Sequence, residues 1–190
     1  MMTCNGCVHS NKPSYEFPCN ECVRPENGGT DMYVAGGIKD SGARREFETG
    51  AVRDIQEGKG RCDLMPLDIV GKYMDDLVLL SIGRFQETND VVYLYTALNH
   101  FEHTIGKSQA DLMLEVAVHF ENGAKKYGER NWEKGLPVSC YIDSAVRHYL
   151  KWRRGDTDER HDRAFVWNIL CCIWTIKHIE KGENANGENQ

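Results

Sequence analysis

His161-Asp162-Arg163-Ala164-Phe165-Val166-Trp167-Asn168-Ile169-Leu170-Cys171-Cys172-Ile173-Trp174-Thr175-Ile176 is the stretch that decides the fold. From Ala164 onward it is apolar almost all round and holds neither glycine nor proline. A helix with no polar face to turn to water belongs in the middle of other helices. Asp156 or Thr157 is read as its cap and the region of Ile179 as its end. His161, Asn168, Cys172 and Thr175 form one stripe on it, with Asp158 one turn earlier. Polar atoms on a buried helix need partners. They either tie helices together or form the floor of a pocket, and Asp158, His161 and Asn168 in combination favour the pocket.

Helical spacing continues outward from this stretch. Residues 109–122 carry Met113, Val116, Ala117, Phe120 and Ala124 on one stripe,. Asp111, Glu115, His119 and Asn122 lie opposite, and Gly123 is read as an end or kink. Residues 139–153 bury Ile142, Ala145, Val146 and Tyr149 before the cationic last turn and glycine stop of Arg153-Arg154-Gly155,. Leu67–Phe85 and Val91–His103 repeat apolar residues at mixed three- and four-residue spacing. Strand signals are poor throughout. The expectation is a mostly α helical bundle over 51–180, after a linker or extended arm at 24–50 and before a disordered tail at 181–190,.

The 190 residues include 23 basic and 29 acidic side chains, a net charge of −6. That balance argues against broad nucleic-acid binding, which wants a surplus of Lys and Arg. No apolar run reaches the roughly 18 residues of a membrane span,. Met1-Met2-Thr3-Cys4 lacks the features of a signal peptide,, so a soluble cytoplasmic protein is expected. Cys4-x2-Cys7 and Cys19-x2-Cys22 are two knuckles suited to one tetrahedral ion. Residues 1–23 are therefore read as a structural Zn²⁺ module, the alternatives being disulfides or idle thiols. Cys62, Cys140, Cys171 and Cys172 fit no such pattern and read as buried spectators,.

The candidate chemistry concentrates between 115 and 168. Glu159-x-x-Asp162 places two carboxylates one helical turn apart, as Mg²⁺ needs, although Asp156 with Glu159 also has the spacing of a capping box,. Glu115 and Glu121, with Asp158 nearby, are the further carboxylates expected at that ion. Glu121, His161 and Asp162 are the candidate catalytic residues. Lys125, Lys126 and Arg130 are candidates for phosphate oxygens, Tyr127 or Trp132 for stacking on a base, and Asn131 for its edge,. Arg147-His148 adds a cation, though Asp143 offers Arg147 a plain salt bridge, and Asn168 completes the floor,. Upstream, Gly58-Lys59-Gly60-Arg61 brings two cations and open backbone to a phosphate, or is simply a solvated turn,. His148 with His161-Asp162 suggests an HD-type phosphohydrolase, but no Asp follows Asp162 to supply the last ligand.

Gly123-Ala124-Lys125-Lys126-Tyr127-Gly128-x-Arg130-Asn131-Trp132, Arg147-His148 followed by Gly155-Asp156-x-Asp158, His161 followed by Trp167-Asn168, and Arg61-x-Asp63-Leu64-x-Pro66 resemble the phage-associated dATP/dGTP diphosphohydrolase domain. The resemblance spans about 50–180, with 71–108 as an enlarged connection. It implies a MazG-like all-α fold and Mg²⁺-dependent release of pyrophosphate from purine deoxynucleoside triphosphates, in a phage-encoded protein of the host cytoplasm. The chain departs from the MazG pattern in lacking Glu-Glu-x-x-Glu on the first helix. A nucleotide ligand and a homo-oligomer are the expected partners. Two other readings stay open: a nucleotide-binding protein without catalysis, such as a sponge for a signalling nucleotide, and an interaction protein whose zinc knuckle recruits a partner.

Overall fold

The computed structural model describes residues 42–180, a mostly α bundle in which six helices follow a short β-hairpin. Strands β1 (Arg44–Glu46) and β2 (Val52–Asp54) pair antiparallel with Arg45 opposite Arg53. Three residues per strand are too few to display the period of two that marks a strand in sequence, so residues expected to be arm and loop turn out to be paired. The helices are α1 (Leu67–Met74), α2 (Leu77–Thr88), α3 (Val92–Ile105), α4 (Gln109–Tyr127), α5 (Val138–Arg154) and α6 (His161–Thr175). Single 3-10 turns cover Cys62–Leu64 and Asn131–Lys134, and a π-helical turn, Ile176–Glu180, prolongs α6. No helix among the described residues is long and apolar enough to cross a membrane. Cys4, Cys7, Cys19 and Cys22, and the tail from 181, lie outside the described residues.

α6 is buried along its length, from Phe165 and Val166 through Ile169 to Cys172 and Ile173. It packs most closely on α5, which buries Tyr141, Ile142, Ala145, Val146 and Tyr149. Phe101 of α3 sits in the middle, its ring 4.7 Å from Phe165, 4.9 Å from Trp152 and 6.0 Å from Tyr149, all edge-on. Such geometry adds about 0.5–1.5 kcal/mol per pair beyond burial.

Four local details differ from the reading of the sequence, each for a physical reason. Leu67–Phe85 divides because Asp75 adopts a left-handed backbone (φ 52°) and Asp76 then caps α2, accepting from the Leu79 amide at 3.0 Å. α4 continues through Gly123 and stops at Gly128, whose φ of 94° suits glycine,. Its buried stripe is Leu112, Val116 and His119, while Met113 and Ala117 face outward, because α4 leans chiefly on α6. Finally, α6 starts at His161 rather than near Asp156. Asp156 is tied to Arg154, and Asp158 to His161 and Lys151, so neither caps a helix.

α1 and α2 touch backbone to backbone. A Cβ on Gly71 would stand 2.4 Å from the Leu80 nitrogen, and one on Gly83 2.1 Å from that of Asp68. Only hydrogen fits at either place.

Candidate functional site

A cleft of about 970 Å³ opens between the hairpin, the loop after β2, the C-terminal half of α4, the 131–134 turn, α5 and α6. That is the size of a small-molecule site, roughly 300–1,000 Å³. Its walls bring together Lys59, Glu121, Tyr127, Arg130, Asn131 and Trp132 with Arg147, His148, Glu159 and Asn168. Eight of its lining side chains are basic and five acidic, in a chain whose net charge is −6. The cationic surplus is local to the cleft.

The hairpin is held there by a side chain. Asn131, buried at the start of its turn, accepts from the Val52 amide at 2.9 Å and donates to the Val52 carbonyl at 2.9 Å. Both polar atoms of its amide are thus spent on backbone. Asn131 positions β2 instead of standing free for a base edge. The next residue, Arg53, is carried to the cleft wall, where Nη2 donates to Asn168 Oδ1 at 2.5 Å and the guanidinium lies 5.5 Å from the Tyr141 ring centre and 6.0 Å from that of Trp167. Burial pulls the Arg53 guanidinium below its usual pKa, against the smaller pull of Tyr141 and Cys140. Asn168 in turn donates to the Ala164 carbonyl at 2.8 Å. Arg45 lies directly across the hairpin from Arg53, and both line the cleft. Like charges at opposite positions of a strand pair are destabilising.

Arg53 Nη1, His119 Nδ1 and Trp167 Nε1 are buried atoms for which no hydrogen-bond partner exists among the described residues. All three belong to side chains of the cleft wall. An unmatched buried polar group costs about 1–3 kcal/mol. His119 is pushed down to about 3, first by burial and then by the charges of Arg163 and Arg53, so its imidazole is neutral at pH 7.

Several expected phosphate ligands have other occupations. Lys126 pairs with Asp54 at 2.9 Å, and the Tyr127 hydroxyl donates to the same carboxylate at 2.8 Å. Lys125 is exposed and bound to Glu121; Arg61 donates to Asp63 at 2.7 Å. Neither Lys125, Lys126 nor Arg61 lines the cleft. Arg147 donates to the carbonyls of Lys59 and Gly60, both at 3.1 Å, and to Asp143. It therefore fixes the glycine-bearing loop over α5. Arg130 pairs with Glu133 at 3.0 Å on the rim and remains largely exposed. Trp132 is half-buried and stands edge-on to Phe120 at 5.5 Å and to Trp174 at 5.0 Å, forming wall rather than a free plate.

The expected carboxylates form no single cage among the described residues: Glu121 is paired with Lys125, and the others divide into two groups. Lys107 Nζ reaches Glu115 at 2.9 Å and Asp162 at 3.2 Å, and Arg160 reaches Asp162 at 2.7 Å as well as Glu115. Burial alone would raise the Asp162 carboxyl, but Arg160 and Lys107 hold it down at about 2. Two cations already occupy the place where Mg²⁺ was expected. Glu159 instead faces the cleft beside His148 and His161, its Oε2 4.0 Å from each Nδ1. The two Nδ1 atoms are 2.9 Å apart, and His161 Nε2 is 2.7 Å from Asp158 Oδ1.

The sequence reading overlooked Arg53, Arg45, Gln56, Arg163 and Asp143 as parts of this wall. Asp143 was seen only as a partner of Arg147; it also accepts from the Cys62 amide at 2.7 Å and from Gln56 at 2.8 Å. The signal in the sequence is a carboxylate set among Tyr141, Ile142, Ala145 and Val146 of a helix,.

Residues 99–185 match the model of a family described as dATP/dGTP diphosphohydrolase, N-terminal. The matched part supplies α4, the 131–134 turn, α5 and α6; the hairpin with Arg45 and Arg53, and Lys59 in the loop after it, precede the match. No curated protein matches the chain, and no solved structure does.

Proposed function

We propose, on the premise of that family match, that the protein is a nucleotide diphosphohydrolase acting on purine deoxynucleoside triphosphates, releasing pyrophosphate and leaving the monophosphate. The family's description supplies the reaction class. The observation that carries the reading here is the wall of the cleft: a cationic surplus that includes buried donors without partners. Strands that set Arg45 against Arg53, and a guanidinium desolvated over two rings, are favourable only if an anion joins them. Arg53, Lys59, Arg163 and Arg130 would meet the phosphates, with Trp167, Trp132 and Tyr127 along the base. Chelated Mg²⁺ would enter on the triphosphate, since the carboxylates expected to hold it do not converge among the described residues. The attacking water would be held at the wall that His148 and Glu159 share.

One observation favours a second reading, a nucleotide-binding protein without catalysis. Glu115 and Asp162 are neutralised by Lys107 and Arg160, which leaves the phosphate-binding wall intact but removes two expected metal ligands. Incubation with a panel of nucleotides and Mg²⁺ or Mn²⁺, with identification of products and of bound species, decides between them. Pyrophosphate with dAMP or dGMP is the expected outcome; tight binding with no product establishes the second reading, and neither binding nor product overturns both. A structural Zn²⁺ on Cys4, Cys7, Cys19 and Cys22 remains part of the proposal, as does a homo-oligomer. Leu114 of α4 is 70% exposed and Met113 42% exposed, so light scattering of wild type and Leu114→Glu checks the assembly.

A further inference from the structure

We infer that His148, Glu159 and His161 form a binding site for one first-row transition-metal dication, distinct from any Mg²⁺ carried by a nucleotide. The inference stands on donor geometry and does not depend on the nucleotide reading. His148 Nδ1, His161 Nδ1 and Glu159 Oε2 make a triangle with sides of 2.9, 4.0 and 4.0 Å. The centre of such a triangle lies about 2.1 Å from every corner, the bond length of Zn²⁺ to imidazole nitrogen or carboxylate oxygen. An ion there needs no rearrangement of the three side chains.

The surroundings of the ring agree. His161 Nε2 is held by Asp158 Oδ1 at 2.7 Å, and Asp158 is held by Lys151 at 3.2 Å. A carboxylate accepting from one imidazole nitrogen places the proton there and turns the lone pair of the other outward, as in metal-binding histidines generally. Here the freed lone pair points at His148 Nδ1 and toward Glu159. Without an ion, two Nδ1 atoms at 2.9 Å oblige His148 to take the one tautomer that donates. With an ion, both lone pairs converge on it. On the far side of the His161 ring Asp156 also lies near, but Arg154 engages it through two hydrogen bonds.

Two nitrogens and one oxygen select the class of ion. Mg²⁺ and Ca²⁺ prefer all-oxygen sets, whereas imidazole suits Fe²⁺, Ni²⁺, Cu²⁺ and Zn²⁺. His148 and Glu159 both line the cleft. The remaining coordination positions are therefore open to water or to an oxygen of whatever the cleft holds. His148 on α5 and His161 at the start of α6 come from the two helices that pack most extensively on each other, and Glu159 lies in the bend just before α6.

The test is a Co²⁺ titration of the metal-stripped full chain followed by visible and near-ultraviolet absorption. Thiolates at Cys4, Cys7, Cys19 and Cys22 announce themselves by sulfur charge transfer, while a nitrogen–oxygen site gives only weak visible bands, so the two sites are read separately. Wild type is expected to show the weak bands, complete at one equivalent beyond any that the thiolates take up, and unaffected by excess Mg²⁺. Glu159→Gln and His148→Ala should abolish them and leave any thiolate bands unchanged. Asp158→Asn should weaken the site by about 10–100-fold, the usual effect of removing the group that orients a ligand histidine. Thermal melts establish that each variant is folded, and Glu159→Gln carries the test if His148→Ala is not. Absence of the weak bands from wild type, or their persistence in folded Glu159→Gln, overturns the assignment.

Discussion

The α1–α2 pair and the cleft of α4, α5 and α6 are built on opposite principles. In the first, two glycines allow backbones to touch, and the buried Asp76 is satisfied by the Leu79 amide, Tyr149 and Arg153. In the second, Arg53, His119 and Trp167 keep buried nitrogens unmatched, and arginines face each other across a hairpin. The contrast shows where stability ends and function begins. A protein tolerates unmatched polar atoms where a ligand completes them and packs tightly where nothing is to enter.

The largest effect expected from breaking this comparison is Gly83→Ala. Its Cβ would meet the backbone of Asp68 at 2.1 and 2.6 Å, and backbone cannot rotate away. Loss of about 3 kcal/mol or more is expected from such overpacking, read as a fall in the urea midpoint, and nucleotide affinity should be unchanged in the fraction that remains folded. Arg53→Met does the reverse. Affinity for a triphosphate should drop on the order of 100-fold, because a desolvated charge–phosphate contact is worth about 1.5–3 kcal/mol. The urea midpoint should hold or rise, since the variant removes a buried charge; a calorimetric titration beside a denaturation curve checks both halves.

Acid sharpens the comparison next. His119 titrates near 3 in the fold and near 6.5 when unfolded, so between those values the unfolded chain binds the extra proton,. Its contribution to stability is fully present above 6.5 and is lost progressively as pH falls from 6.5 toward 3. His119→Gln should flatten that part of the pH–stability curve, measured by urea midpoints from about pH 7 to about pH 4. If the slope of the variant equals that of wild type, His119 is not the proton acceptor. The smallest effect is Gly123→Ala. No atom lies within 4 Å of the added Cβ, and exchange of glycine for alanine inside a helix should stabilise by about 1 kcal/mol, the opposite sign from Gly83→Ala.

How much of this was legible in sequence depends on the range of the interaction. The buried α6, the extent of α5 and the gathering of Tyr127, Arg130, Trp132, His148 and Asn168 around one site follow from local periodicity and side-chain chemistry. Nothing local shows that Lys126 is tied to Asp54, because that partner lies 72 residues away. Glu115 and Asp162 were rightly read as near neighbours, but Lys107, which with Arg160 neutralises them, lay in a segment read as a break between helices. Arg53 sat in a three-residue strand with no periodic signal, so nothing local separated it from a surface arginine.

The Asn131–Val52 clamp has a consequence in time. Its two hydrogen bonds bridge 79 positions, and the Arg53–Asn168 bond bridges 115. A chain emerging from the ribosome has made its hairpin long before the residues that receive it exist. Loop closure over such separations is slow compared with forming a helix. The helices are built from near neighbours, whereas the wall that carries Arg53 is complete only when the early end of the chain docks on the late one. Until that step Arg53 stays hydrated, and its desolvated place beside Asn168 forms only once the rest of the fold is there.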